Sequence, residues 1–276
     1  MAKTRQMHFW TIIPAAGKGT RFHATCPENY SDAVFNPEST LAFSSSTQSA
    51  TKQKKTKQYY LLTEQHNIAQ YTIGQINLHP GIAGCIVATS PEDDVFQHLA
   101  FDSTKPVHST IGGSVRAESV LRALDFAWQQ KLIQPADWVL VHDIARPLIS
   151  QKEISWLIQA ISRHGSYYQG ISLGLPIRDS IKRIAVQEEQ HLMPVIHSES
   201  RQHIWRSITP QAARADILLQ ALKACREAPE ITDEMSALTA LQVPCALIAG
   251  KEQNIKITTW EDLLLARALL GNVPKQ

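Results

Sequence analysis

The chain has 276 residues, of which 43% are hydrophobic and 19% are charged, and its formal net charge at pH 7 is +2. The apolar fraction is too high for a disordered chain, and no apolar run approaches the ~18–20 residues that a membrane-spanning helix needs. The near-neutral charge gives no reason to expect a nucleic-acid partner. The length is sufficient for one large α/β domain or two small ones.

The cysteines and histidines show no disulfide or metal-binding pattern. The four cysteines are widely scattered without a Cys-x-x-Cys pair, and the 11 histidines lack metal-ligand spacing. The N-terminal segment carries positive charge but has no apolar core of signal-peptide length before Pro14. We therefore expect free thiols, no protein-built metal site and a soluble cytoplasmic protein.

Short apolar runs alternate with amphipathic stretches along most of the chain. The runs predict strands at 9–13, 84–89, 138–143, 169–173, 246–249 and, shorter, 254–257. Apolar residues at helical spacing predict helices over 114–130, 151–163, 215–224 and 261–270. This alternation predicts an α/β fold, with a mostly parallel twisted sheet and helices on both of its faces.

Two stretches depart from the alternation. Residues 23–56 lack periodicity and are rich in Ser, Thr and Lys, which predicts a flexible surface insertion. Residues 176–209 are rich in Arg, His and Glu and alternate in polarity around 181–184. This second stretch predicts a protruding β-hairpin arm.

Small residues directly follow the first predicted strand, in the sequence Pro14-Ala15-Ala16-Gly17-Lys18-Gly19-Thr20-Arg21. Such residues let the backbone approach a ligand, so that successive N–H groups can bind phosphate oxygens, and the arginine adds a fork of donors. The segment lacks the third glycine of a dinucleotide fingerprint and the ending of a P-loop. A tight strand-to-helix turn is the alternative interpretation.

A second group of polar residues follows the strand predicted at 138–143. Asp143 and Arg146 lie where ligands bind in parallel sheets, beyond the carboxyl end of a buried strand. A surface ion pair is the alternative, but this location favours function. Lys57, Lys256 and the segment 232–234 are weaker candidates; alone, the lysines would be solvated and Thr232 would be a helix cap.

Eight segments, taken in order, resemble the 2-C-methyl-D-erythritol 4-phosphate cytidylyltransferase family of the non-mevalonate isoprenoid pathway. They are 14–21, 57–59, 112–120, 141–147, 176–182, 205–211, 232–234 and 250–258. The resemblance implies one Rossmann-like nucleotidyltransferase domain over 1–276, a homodimer with an exchanged arm, and Mg²⁺ bound mainly through CTP phosphates. It also implies a reaction, in which CTP and methylerythritol phosphate give 4-diphosphocytidyl-2-C-methylerythritol and pyrophosphate.

The resemblance also implies roles for matched positions. The residues that would neutralise the triphosphate and carry catalysis are Arg21, Lys57 and Lys256. Those that would bind the nucleotide are Ala15, Ala16, Gly17, Gly19, Gly113, Arg116 and Ser119. Those that would hold the methylerythritol phosphate are Asp143 and Arg146, with Ser180, Arg201 and Thr209 reaching it from the arm of the partner subunit.

Some positions depart from the family pattern. Glu28 stands at the position of the lysine that usually accompanies the arginine, and Lys57 restores the pattern about thirty residues later; we assign the role to Lys57. Ile144, Ser180 and Ser114 replace the usual Ala, Thr and acidic residue.

Two other functions remain open from the sequence. A pentitol-phosphate (ribitol 5-phosphate) cytidylyltransferase would share the nucleotide half of the site. A non-catalytic nucleotide-binding protein would share the fold. Retention of all three cations at positions 21, 57 and 256 argues against the second, because binding alone does not need them around one phosphate.

Overall fold

The fold was analysed in a computed structural model, which describes residues 8–17, 19–27, 56–185, 192–226, 228 and 231–271. The strands of these residues are β1 (Phe9–Ala15), β2 (Ile82–Thr89), β3 (Val107–Ile111), β4 (Trp138–Val141), β5 (Gly170–Pro176), β6 (Ile181–Ile184), β7 (Val195–Glu199), β8 (Trp205–Arg214) and β9 (Cys245–Ala249). The helices are α1 (Thr20–Thr25), α2 (Ile68–Asn77), α3 (Arg116–Gln129), α4 (Gln151–His164), α5 (Ala215–Ala224), α6 (Glu234–Ala240) and α7 (Trp260–Leu269).

A mixed sheet forms the centre of the fold, with strand order β3-β2-β1-β4-β8-β5-β9. Neighbouring strands are parallel except at β8, which runs antiparallel to both β4 and β5. The predicted mostly parallel α/β architecture is therefore confirmed. Because only β8 is reversed, the carboxyl ends of β1, β3, β4 and β9 lie along the same edge of the sheet.

Helices cover both faces of this sheet, and alternation along the central strands explains why. Ile12 packs with α3, α5 and α6 on one face, whereas Ile13 packs with α2 and α4 on the other. Val139 and Val141 likewise face the first group, and Leu140 faces the second. Strands buried on both sides read as continuous apolar runs, which is the signal that the sequence carries.

A third, smaller core joins three segments that are distant in sequence. Phe22 of α1, Tyr60 and Leu62 pack with Ile257 and with α7. The ring centroids of Phe22 and Tyr60 are 4.8 Å apart. This cluster brings the residues before and after 28–55 together, beside the segment that carries Lys256.

The residues predicted as an arm contain a two-stranded antiparallel sheet, separate from the main sheet. β6 pairs with β7 so that Ile181 lies opposite Glu199 and Ile184 lies opposite Val195. Residues 205–209 of the predicted arm instead belong to β8 in the main sheet. The exchange of this arm between subunits stays a prediction.

Several predicted boundaries were wrong. Residues 254–257 do not form a strand; the segment is irregular, and the Ile257 N–H donates to the Ala145 carbonyl at 2.8 Å. β3, β8 and α2 were not predicted. Residues 23–25, placed in the insertion, complete α1, while 28–55 lie outside the described residues. None of the helices in the described ranges is long and apolar enough to cross a membrane.

Candidate functional site

The four loops that follow β1, β3, β4 and β9 surround a cleft of about 280 Å³. It lies at the carboxyl ends of the parallel strands, where the sequence predicted it. Most of the residues predicted to bind a substrate or to act in catalysis line this cleft. They are Ala15, Ala16, Gly17, Gly19, Arg21, Lys57, Gly113, Arg116, Ser119, Asp143 and Lys256. Arg146 does not line the cleft, and Lys18 lies outside the described residues.

The loop after β1 depends on glycine at one position. Gly19 has a φ of 64°, in the left-handed region, and precedes α1 as its N-cap. A Cβ atom there would lie 3.4 Å from Cγ of Lys57. The conformation of Gly19 therefore turns the chain into α1 and leaves room for the lysine side chain.

Lys57 is held in place by its two neighbours in the 3₁₀ turn 57–59. The Gln58 side-chain amide donates to the Ala15 carbonyl at 3.1 Å, and the Tyr59 hydroxyl donates to the Asp93 carboxylate. The Lys57 ammonium in turn donates to the Ile257 carbonyl at 2.8 Å. Position 57 is thus fixed to the loop after β1, although more than thirty residues separate it from Arg21.

The environment of Lys57 destabilises its charged form. Burial, and after it the nearby charges of Lys256 and Arg21, together lower the pKa of Lys57 to about 8, while Asp143 opposes the shift. An anion that enters between cations crowded in this way would stabilise their charged forms. The arrangement favours a phosphate-bearing ligand.

The loop at 112–115 is fixed by side chains of α3. The Ser119 hydroxyl accepts from the Gly113 N–H at 3.0 Å, and Glu118 accepts from the Ser114 N–H at 2.8 Å. Arg122 donates to the Gly112 carbonyl at 2.8 Å. A Cβ atom at Gly113 would lie 2.3 Å from Glu118, so a larger residue would displace this anchor. Ser119 therefore acts on the loop that lines the cleft.

Asp143 lies at the centre of a group of cations. Its carboxylate is 3.0 Å from Nε of Arg116, 2.8 Å from Nζ of Lys256 and 3.5 Å from Nε of Arg146. Burial alone would raise the pKa of Asp143, but these three cations hold it well below its usual value. Asp143 is consequently an ionised acceptor at neutral pH, and cannot act as a general base of ordinary strength.

Arg116 is engaged on both sides by carboxylates. While Nε donates to Asp143, Nη1 and Nη2 donate to the two oxygens of Glu234 at 2.6 and 3.0 Å. Glu234 is 1% exposed. No role of its own was predicted for this glutamate, and its helix is capped by Asp233 where Thr232 was expected.

The Asp143–Arg146 turn is held from beneath by a buried network that the sequence did not predict. His142 contacts the Arg146 carbonyl through Nε2 at 3.0 Å and the Thr209 hydroxyl through Nδ1 at 3.1 Å. Because a carbonyl only accepts, Nε2 carries the proton, and the Thr209 hydroxyl donates to Nδ1. The same hydroxyl accepts from the Asp143 N–H at 3.1 Å.

Three residues predicted to reach the substrate from an arm occupy different places. Thr209 is 3% exposed and lies within β8 of the main sheet, behind Asp143, so its assignment to the arm was wrong. Ser180 and Arg201 are exposed beside the β6–β7 hairpin, and Arg201 donates to the Arg178 carbonyl. Neither lines the cleft of its own chain. Their contact with a partner's substrate stays a prediction.

The described residues contain no cluster of three or more His, Cys, Asp or Glu side chains that could hold a metal ion. Among the described residues of the cleft wall, Asp143 is the one that carries a carboxylate. Both of its oxygens contact cations. This donor set fits a metal ion held by the phosphates of a ligand and by water, which is how Mg²⁺ commonly binds.

Comparison with known proteins identifies the family. The family model described as IspD: 2-C-methyl-D-erythritol 4-phosphate cytidylyltransferase matches residues 44–272. The chain is 38% identical over 261 residues to the 2-C-methyl-D-erythritol 4-phosphate cytidylyltransferase of Vibrio vulnificus strain YJ016, covering 94% of this chain and 93% of the relative. It is 34% identical over 263 residues to the enzyme of that name from Pseudoalteromonas atlantica, covering 95% of each.

Solved structures agree with the sequence comparison. The crystal structure of the Francisella tularensis 2-C-methyl-D-erythritol 4-phosphate cytidylyltransferase is 26% identical with a TM-score of 0.69, covering 95% of this chain and 99% of that one. The Thermus thermophilus structure, at 23% identity and a TM-score of 0.63, shares the fold. The chain therefore belongs to the 2-C-methyl-D-erythritol 4-phosphate cytidylyltransferase family, and it is an enzyme that transfers a cytidylyl group from CTP to methylerythritol phosphate in isoprenoid precursor synthesis.

Proposed function

We propose that the cleft binds both substrates, with the CTP triphosphate among Arg21, Lys57 and Lys256 and the methylerythritol phosphate beside Asp143. The observation that carries this proposal is the contact between the Lys57 ammonium and the Ile257 carbonyl, which brings Lys57 beside Lys256. Both lysines line the same cleft as the glycine-rich loop after β1. Lys256 and Arg21 both lower the pKa of Lys57, so this group of cations is costly to assemble without a ligand anion between them.

The nucleotide half of the cleft would use backbone groups. Exposed N–H groups around Ala16 and Gly17 would bind phosphate oxygens at the start of α1. The loop at 112–115, fixed by Glu118 and Ser119, would offer backbone acceptors to the amino group of cytosine. Arg116 lines the cleft but would brace Asp143 in the acceptor half, because Glu234 and Asp143 already engage its guanidinium.

Charge stabilisation and positioning would supply most of the catalysis. An oxygen of the methylerythritol phosphate attacks the α-phosphorus of CTP, and the bond to the bridging oxygen of pyrophosphate breaks. The attacking phosphate is already ionised at neutral pH, so no general base is needed. Lys57, Lys256 and Arg21 would offset the negative charge that grows on the α-phosphoryl oxygens.

The acceptor half of the cleft would be organised by Asp143. Its ionised carboxylate accepts hydrogen bonds only, so it suits the hydroxyl groups of a polyol. Arg146, whose Nη1 donates to the Asn254 carbonyl at 2.8 Å, would hold the turn that aims this carboxylate. Ile144 is 5% exposed and contributes to the wall, where it limits the room beside the polyol.

We extend the proposal to Mg²⁺, which CTP phosphates and water would hold, because both oxygens of the Asp143 carboxylate already contact cations. The ion would supply further charge neutralisation on the triphosphate. We also propose a cytoplasmic homodimer. Exposed apolar side chains on and beside the hairpin, including Val195, Ile196 and Trp205, support contact with a second copy.

The test is a pyrophosphate-release assay with CTP, methylerythritol phosphate and Mg²⁺, with ribitol 5-phosphate in a parallel reaction. We expect release with methylerythritol phosphate, and at least a tenfold lower kcat/KM with ribitol 5-phosphate. Faster turnover of ribitol 5-phosphate would reassign the acceptor. No release with either acceptor, from folded protein, would overturn the proposed site.

A further inference from the structure

Glu234 is a buried carboxylate that contacts the cleft only through another residue. It is 1% exposed and is absent from the cleft wall, yet both of its oxygens are bound by Arg116. Arg116 in turn donates through Nε to Asp143 at 3.0 Å. The three side chains form a chain from the start of α6 to the acceptor half of the cleft.

The position of Glu234 is itself fixed by the main sheet. The Gln211 side chain of β8 donates to the Asp233 carboxylate at 2.8 Å and accepts from the Met235 N–H at 3.1 Å. Asp233 also caps α6 by accepting from the Ser236 N–H. Glu234 lies between these two anchored residues, so its backbone has little freedom to follow a displaced Arg116.

Both oxygens of Asp143 have distinct partners, and one of these partners, Arg116, is held by a second carboxylate. Lys256 and Arg146 contact Oδ2, whereas Arg116 contacts Oδ1. Without Glu234, the Arg116 side chain would keep a single carboxylate partner and could rotate toward a ligand phosphate. Asp143 would then lose the contact that fixes the plane of its carboxylate.

We infer that Glu234 is a positioning residue for the acceptor substrate, which acts by holding Arg116 against Asp143. This inference rests on the proposed function, since it assigns the acceptor to Asp143. The nucleotide half has separate supports, because Glu118, Ser119 and Arg122 hold the loop at 112–115. Loss of Glu234 should therefore weaken binding of the acceptor substrate more than binding of CTP.

The experiment compares Glu234→Gln with the wild type by steady-state kinetics and by calorimetric binding of CTP. We expect KM for methylerythritol phosphate to rise about tenfold or more, as small displacements of positioning groups commonly cause. The Kd for CTP should change less than about twofold. Equal changes in both constants, or an unchanged KM for the acceptor, would overturn the inference.

Glu153→Gln is the matched control. Glu153 is also fully buried, completes the capping box of α4 with Ser150, and accepts from the Lys251 N–H through Oε1, which glutamine can still do. We expect this variant to lower the melting temperature but to leave KM for the acceptor within twofold. A tenfold rise in that KM for Glu153→Gln as well would show a general effect of lost stability.

A second variant covers the case in which Glu234→Gln does not fold. Arg116→Met combined with Glu234→Met removes the buried pair together, which is often tolerated where loss of one partner is not. The acceptor KM should again rise about tenfold or more, because Asp143 still loses its Oδ1 partner. An unchanged KM would overturn the inference, whereas an inactive wild type would overturn the proposed function instead.

Discussion

The Lys57 ammonium donates a hydrogen bond to the Ile257 carbonyl, 2.8 Å away and 200 residues further along the chain. This contact places Lys57 against Ile257, the neighbour of Lys256, and Ile257 packs in the same core as Phe22, the neighbour of Arg21. The three cations that the sequence assigned to catalysis therefore come from three distant segments. Their proximity leads to the first two predictions.

Replacing Lys57 by Ala should lower kcat by about 10²–10³-fold, the size of effect seen when one preorganised charge is removed from a transition state. The fold should survive, and the melting temperature should rise slightly, because a buried cation beside two others is removed. Steady-state kinetics and thermal unfolding measure both effects. Lys223→Ala, at an exposed lysine paired with Asp125, serves as the control and should change neither.

The pH dependence of kcat/KM for CTP should follow the ionisation of Lys57. Its pKa is lowered to about 8, so as pH rises through that value the free enzyme loses a cation that the triphosphate needs. We expect kcat/KM for CTP to fall above pH 8. Lys57→Arg keeps its charge throughout this range and should not show the fall, even if its activity is lower. A decline identical in both proteins would assign the titration to another group.

Acid sensitivity of the fold should depend on His142. Burial lowers the pKa of His142 to about 4, so the unfolded chain binds a proton between pH 6.5 and 4 that the folded chain excludes. Stability is therefore fully present above pH 6.5 and declines as pH falls, by roughly 3 kcal/mol at pH 4. Urea unfolding at several pH values measures this loss.

His142→Gln tests the assignment, because glutamine can contact the Arg146 carbonyl and the Thr209 hydroxyl without titrating. Its stability should be lower at pH 7 but should change less between pH 6.5 and 4 than that of the wild type. The exposed His164 provides the control, and His164→Gln should retain the wild-type slope. A wild-type slope in His142→Gln would contradict the prediction.

Gly19→Ala should impair both folding and turnover. A non-glycine residue at φ 64° costs about 1–2 kcal/mol, and a backbone shift that relieves this strain would move the added Cβ atom relative to Lys57, whose Cγ lies 3.4 Å away. Gly271→Ala is the matched control, since Gly271 has φ 75° but no atom within 4 Å of the added carbon. We expect both variants to lose stability, and only Gly19→Ala to lose turnover as well.

Deletion of residues 31–54 should spare folding and activity. The described contacts that place Lys57 run from Gln58 to Ala15, from Tyr59 to Asp93 and from Tyr60 to the Phe22 core. None of them uses the deleted residues, and shortening the connection between two fixed ends changes the closure entropy only modestly. Soluble yield, thermal unfolding and pyrophosphate release check this prediction. Insoluble protein would show that the deleted segment stabilises the fold.

Local sequence pattern predicts the α/β class, most strands of the main sheet, several helices and the residue types that line the cleft. Buried strands such as β1 and β4 appear as continuous apolar runs, and α4 carries its own cap and period, so local pattern is sufficient there. The small residues before Arg21 and the Asp143–Arg146 turn follow strands directly. Strand direction therefore placed them together at one edge of the sheet.

Which charged side chains face each other depends on the tertiary structure. Glu234 reaches Arg116 across 118 positions, and Thr209 supports Asp143 from a reversed strand whose pairing local pattern does not encode. The segment 254–257 alternates like a strand, yet it is held as a loop by Ala145 and Thr209. Long-range contacts of this kind depend on packing between distant elements, whereas periodicity reports only the neighbours along the chain.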